Sequence, residues 1–158
     1  LWIVTGVLLP VLFPALSVAL VRDRVRAARL LDRALRLTIA AALPAAVVVG
    51  AFAPEWLAVW IGGDVARAAA PVAQLLAAGV FVNTVAQVAY TLVQAAGRAD
   101  VTAKFHLVEL VPYAVLLWAL IGRFGVVGVV AAWGARAAVD AALLAVAATR
   151  IVPEARRA

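Results

Sequence analysis

Arg136 and Asp140 stand four positions apart inside a stretch otherwise built almost wholly of Ala, Val, Leu and Gly. An ionised side chain at the middle of an apolar span costs about 2.5–3.5 kcal/mol even on mild insertion scales. The i, i+4 spacing lets the two pair, so they form either a structural ion pair or the charged lining of a cavity or gate. Trp133 shares their helical face and offers a flat surface for a sugar ring. In the preceding apolar segment His106, Glu109 and Tyr113 share a face, with Pro112 bending the helix beyond them. Glu109 reads as a proton-linked or substrate-contacting carboxylate, or as the partner of Lys104 or of a neighbouring helix. His106 is the only histidine and a metal needs at least a third ligand, so no metal site is expected. A third group, Asn83, Gln87, Tyr90 and Gln94, recurs at i, i+4, i+7 and i+11, with Thr84 and Thr91 beside it. Amides facing lipid are costly, so this stripe faces other helices or an aqueous cavity. The last group is basic: Arg22, Arg26, Arg29, Arg33 and Arg36 fall on one narrow helical stripe, with Val25, Leu31 and Leu35 elsewhere. Such a helix suits an anionic leaflet surface or the diphosphate of a lipid-linked substrate, and equally serves as a topology anchor.

The elements that must position these residues are apolar helices. Of 158 residues 68% are hydrophobic and 14% charged, far from the roughly 45–50% apolar usage of water-soluble domains. Charge-free runs recur at about 1–21, 37–53, 71–96, 105–122 and 125–149, each long enough to cross a ~30 Å hydrocarbon core or nearly so. The chain is therefore expected to be an all-α, polytopic helical membrane protein with about five transmembrane helices. Its net charge of +6 has to be read by position relative to the spans, not as a nucleic-acid footprint. The Arg-rich loop between the first two spans is expected to be cytoplasmic by the positive-inside rule, and alternation places the rest. Residues 54–70 and Arg123 fall outside, while Gly97 to Lys104 and Arg150, Arg156 and Arg157 fall inside. The N-terminal end is then outside and the C-terminal end cytoplasmic. Residues 54–63, PEWLAVWIGG, place Trp56 and Trp60 where indole rings prefer the outer interface. Pro10, Pro14 and Pro44 kink or shape the first two spans. Gly122, Gly125 and Gly128 frame the outer turn between the last two.

Several chemistries fit poorly. With no cysteine there is neither a disulfide nor a thiolate metal site. The one serine, Ser17, has no histidine near it in sequence, and no carboxylate pair sits at a catalytic spacing. No cofactor and no enzymatic activity are expected. The chain lacks Met and opens at Leu1 inside a hydrophobic run with no basic lead-in. It therefore reads as part of a longer protein, not as one led by a signal peptide. The bias toward Ala, Val, Leu and Arg points to a GC-rich bacterial genome.

A set of short motifs adds a family resemblance: LFPALS in the first span, the Arg-rich loop, LP in the second span, and AP-x-W-L-x-x-W-I-G followed by APVAQLLAAG. TAKFHLVEL and GVVGVVAAWGARAAVDAALL extend it over nearly the whole chain. In order and spacing these resemble the C-terminal lobe of polysaccharide or oligosaccharide flippases of the multidrug/oligosaccharidyl-lipid/polysaccharide exporter superfamily. The resemblance implies two six-helix lobes around a central cavity, this chain supplying about the eighth to twelfth helices. It also implies a bacterial inner-membrane location and a missing N-terminal lobe as partner. The implied function is the alternating-access movement of a lipid-diphosphate-linked glycan from the cytoplasmic to the outer leaflet. On that pattern Asn83, Gln87, Tyr90, Gln94, His106, Glu109, Arg136 and Asp140 face substrate, and the arginine stripe meets anionic lipid. A drug or cation antiporter of the same superfamily and a noncatalytic membrane scaffold are the alternatives.

Overall fold

The computed structural model describes residues 2–153, with side chains from Thr5 onward. Arg156 and Arg157, expected on the cytoplasmic side, lie outside the described residues. Five helices follow in order: α1 (Trp2–Arg22), α2 (Arg24–Ala51), α3 (Ala53–Ile61), α4 (Gly63–Ala95) and α5 (Ala99–Ile151). No strand occurs among the described residues. α1, α2, α4 and α5 are long and apolar enough to cross a membrane, so the chain is a polytopic helical membrane protein. α4 is the central element, packed against each of the other four helices.

A single residue separates α1 from α2. Asp23 has extended backbone angles, and its carboxylate accepts a hydrogen bond from the Arg26 amide at 3.0 Å. It thereby caps a helix that would otherwise leave its first donors unpaired. The Arg-rich segment had been expected as a loop helix distinct from a span over 37–53. Instead it is the first turns of one unbroken 28-residue helix, about 42 Å long and so longer than a hydrocarbon core. The reason is burial. Ala27, Ala28, Leu31 and Ala34 belong to one buried cluster with Leu12, Leu16 and Ala19 of α1, Leu92 and Val93 of α4, and Leu144 and Ala148 of α5. The same face continues through Thr38, Ala42 and Ala46. Arg22 closes α1 and stands apart from the stripe made by Arg26, Arg29, Arg33 and Arg36 on α2. These arginines mark one end of the bundle, the arginine end.

α3 is the short helix expected from PEWLAVWIGG. Pro54 sits in its first turn, and Gly62, at φ 88°, turns the chain into α4. Trp56 and Trp60 stand exposed at this opposite end of the bundle. α4 buries mostly small residues, among them Ala66, Ala70, Ala77, Gly79, Ala86 and Ala89, which lets neighbouring helices approach closely.

A straight helix of 53 residues would be about 80 Å long, yet residues thirty positions apart in α5 touch. Gly125, at φ 56° and ψ −132°, breaks the helix in a region open only to glycine. The chain doubles back there, giving antiparallel arms 99–124 and 126–151. Gly128 lies so close to the Leu120 carbonyl that an added Cβ would be 2.2 Å from its oxygen. This contact holds the two arms together just beyond the turn.

Candidate functional site

The α5 hairpin gathers charged residues that lie thirty positions apart in sequence. Arg136 on the second arm places its Nε 3.3 Å from Glu109 Oε2 on the first. Its Nη2 lies 3.3 Å from His106 Nδ1. A guanidinium can only donate, so a hydrogen bond between them has Nδ1 as its acceptor. The Arg136 guanidinium also stands over the Tyr113 ring, 5.6 Å from its centre. His106 Nδ1 is in turn 3.9 Å from both Glu109 Oε2 and Asp140 Oδ1. The Glu109 side chain is only 4% exposed, against 14% for Asp140, 32% for Arg136 and 47% for His106. Thus the cluster is buried at its carboxylates and open at its basic groups.

The pairing differs from the one that sequence spacing favours. Arg136 is ion-paired with Glu109 across the hairpin, and the basic group beside Asp140 is His106. Lys104 pairs instead with Asp100 at 3.3 Å, within the same turn of helix. Trp133 is also differently engaged: its ring lies against Gly79 of α4, where a Cβ would be 2.6 Å from Cζ3. That ring fills a helix–helix contact and is not available as a flat platform beside Arg136. Next to the cluster an apolar groove of about 300 Å³ runs between the arms, lined by Val108, Pro112, Leu116, Val139 and Leu143.

The amide stripe on α4 splits into three parts. Asn83 and Gln87, with Thr84 and Thr5 of α1, line a cavity of about 250 Å³. Tyr90 packs half-buried against the core at the arginine end. Gln94 is locked, donating at 2.9 Å to Thr102, a partner that sequence spacing does not reveal. The two threonines donate to carbonyls in their own helix, Thr84 to Val80 and Thr91 to Gln87. This is the usual local solution for a hydroxyl within a helix.

At the arginine end Arg26, Arg29 and Arg33 line an open concavity of about 690 Å³ with Asp23, Leu30 and Asp32. Its acids are engaged: Asp23 caps α2, and both Asp32 oxygens accept from Arg36 Nε at 2.9 and 3.0 Å. Among the described residues, Arg26, Arg29 and Arg33 form no side-chain ion pair, which leaves three guanidinium groups facing one hollow. Guanidinium forks match phosphate oxygens well.

The chain is 30% identical over 132 residues to a Shigella flexneri protein that carries the provisional name O-antigen transporter. The match takes in 84% of this chain but only 31% of that protein, so the chain spans less than a third of the relative's length. No protein-family model matches, and no solved structure does either.

Proposed function

We propose that this chain is the C-terminal lobe region of a bacterial exporter that carries a lipid-diphosphate-linked oligosaccharide from the cytoplasmic to the outer leaflet of the inner membrane. The observation that supports this most strongly is the match to the O-antigen transporter over 84% of this chain. In this reading the arginine end faces the cytoplasm, where basic residues concentrate. Arg26, Arg29 and Arg33 meet the anionic headgroup as it arrives. Arg136, a third exposed and backed by Glu109, is the guanidinium that the diphosphate meets inside the bundle. Asn83 and Gln87 offer amides to sugar hydroxyls across the cavity they share with Thr5. The missing N-terminal lobe supplies the opposite wall, and no covalent bond is made or broken.

The test is complementation of a flippase-null strain with full-length protein carrying Arg136→Leu, Glu109→Leu or both, with membrane abundance measured in parallel. Removing one partner of a buried pair strands the other and typically costs about 3–5 kcal/mol, whereas removing both costs far less. If Arg136 meets the diphosphate, the double variant inserts at normal abundance and fails to export. Near-normal export by the double variant would show that the pair only holds the hairpin together.

A further inference from the structure

In the hairpin cluster three acceptor atoms converge: His106 Nδ1 and one carboxylate oxygen each from Glu109 and Asp140 all lie within 4.8 Å of one another. They come from both arms of α5, so the fold itself assembles them. Both Glu109 oxygens and Asp140 Oδ1 are buried without a hydrogen-bond partner. Glu109 Oε2 has the Arg136 ion pair alone, and leaving buried carboxylate oxygens without hydrogen bonds is costly. Two carboxyl groups and one imidazole meet a single guanidinium here. Every group at the convergence point is electron-rich except Arg136.

We propose that His106, Glu109 and Asp140 bind a divalent transition-metal ion of the zinc class, in exchange for the Arg136 guanidinium. One imidazole nitrogen with two carboxylates is a donor set of the zinc, manganese and iron type. Sodium and magnesium prefer all-oxygen surroundings. Tetrahedral coordination at roughly 2.0–2.2 Å sets ligand atoms about 3.4 Å apart. Two of the three separations, 3.9 Å from His106 to each carboxylate, are close to that value. Side-chain rotation closes the remainder, and water completes the fourth position. Arg136 has somewhere to go: it is a third exposed and already stands over Tyr113, whose ring face attracts a cation. Metal on the carboxylates therefore releases Arg136 toward the open side of the cluster.

The experiment uses full-length protein without a polyhistidine tag, stripped with a chelator, held in lipid nanodiscs and titrated with Zn²⁺ by calorimetry. Zinc-edge X-ray absorption identifies the ligands. The expected result is one Zn²⁺ per chain, held by nitrogen and oxygen with a single imidazole. Glu109→Gln and Asp140→Asn are expected to weaken binding by at least the about 10–100-fold that even outer-shell losses cost. Arg136→Gln removes the competing cation and is expected to tighten it, a gain that no unfolded variant could give. Absence of Zn²⁺ binding in both the native and the Arg136→Gln protein overturns the proposal. So does binding indifferent to Glu109 and Asp140, or displacement of Zn²⁺ by excess Na⁺, which would make this an alkali-ion site.

Discussion

Replacing Gly128 with alanine puts a methyl group where the Leu120 carbonyl already stands. The new Cβ would be 2.2 Å from that oxygen and 2.6 Å from its carbon, whereas real Cβ atoms essentially never come within 3.0 Å of another atom. The arms of α5 must therefore part at this point by at least about 0.8 Å. With Gly125 as the pivot, Gly128 is three residues out and Arg136 eleven, about 4.5 and 16 Å along the helix. A 0.8 Å opening then grows to about 3 Å at Arg136. Even a parallel shift without leverage takes the 3.3 Å Arg136–Glu109 contact past 4 Å. Overpacking of this kind costs about 1–3 kcal/mol, offset in part by the ~1 kcal/mol that alanine gains over glycine in a helix. The protein is thus expected to stay folded while the charged cluster comes apart. Spin labels at Val108 and Val139, which line one groove on opposite arms, report the separation by dipolar broadening. Broadening should weaken in Gly128→Ala, and export should fall with it. Unchanged broadening together with normal export would refute the reasoning.

Gly79→Ala drives a methyl group into the Trp133 ring and is expected to destabilise the protein by up to about 2 kcal/mol once alanine's better helix propensity is counted. Trp133→Leu in the same chain should relieve most of that loss in a double-mutant cycle of unfolding free energies. Because the chain has no cysteine, single cysteines replace residues cleanly. Those at Arg29 and Ala99 are expected to label only from the cytoplasm, and those at Gly63 and Arg123 only from outside. Labelling of Gly63 from the cytoplasm would reverse the proposed orientation. At the exposed start of α5 a hydrogen bond from Lys104, with Arg98 nearby, holds the Asp100 carboxyl below its ordinary titration range. A carboxyl depressed in the folded state contributes stability above its unfolded pKa and loses it as pH falls through the folded value. Lys104→Met should therefore move the Asp100 titration upward in a carbon-detected NMR series.

Helix content and the short tryptophan-bearing helix α3 were legible because charge-free runs, and the prolines and glycines bounding them, are local signals. The residues of the charged cluster were legible for the same reason, since an ionised group in an apolar run stands out. Their partners were not. Spacing along one helix favours Arg136 with Asp140, but partner choice depends on the register of the hairpin, which Gly125 and Gly128 set. A turn near residues 123–125 puts Glu109 opposite Arg136, which can be reasoned only once the two runs are known to fold against each other. The role of Trp133 was hidden in the same way, because nothing near it in sequence marks Gly79 as its neighbour. The Arg-rich segment reads as a separate loop helix because its arginines recur at helical spacing between two charge-free runs. Its opposite face, Ala27, Ala28, Leu31 and Ala34, is buried, and the capping carboxylate of Asp23 fixes where the long helix begins.

The most direct measurement is translocation itself. Full-length protein is reconstituted in liposomes whose inner leaflet carries a fluorescent lipid-diphosphate oligosaccharide, and arrival in the outer leaflet is followed by a membrane-impermeant lectin or quencher. Protein-dependent movement that falls sharply in Arg136→Leu/Glu109→Leu, at equal reconstitution, is the predicted result. No protein-dependent movement of the glycolipid, or movement at the native rate in that double variant, would contradict the account.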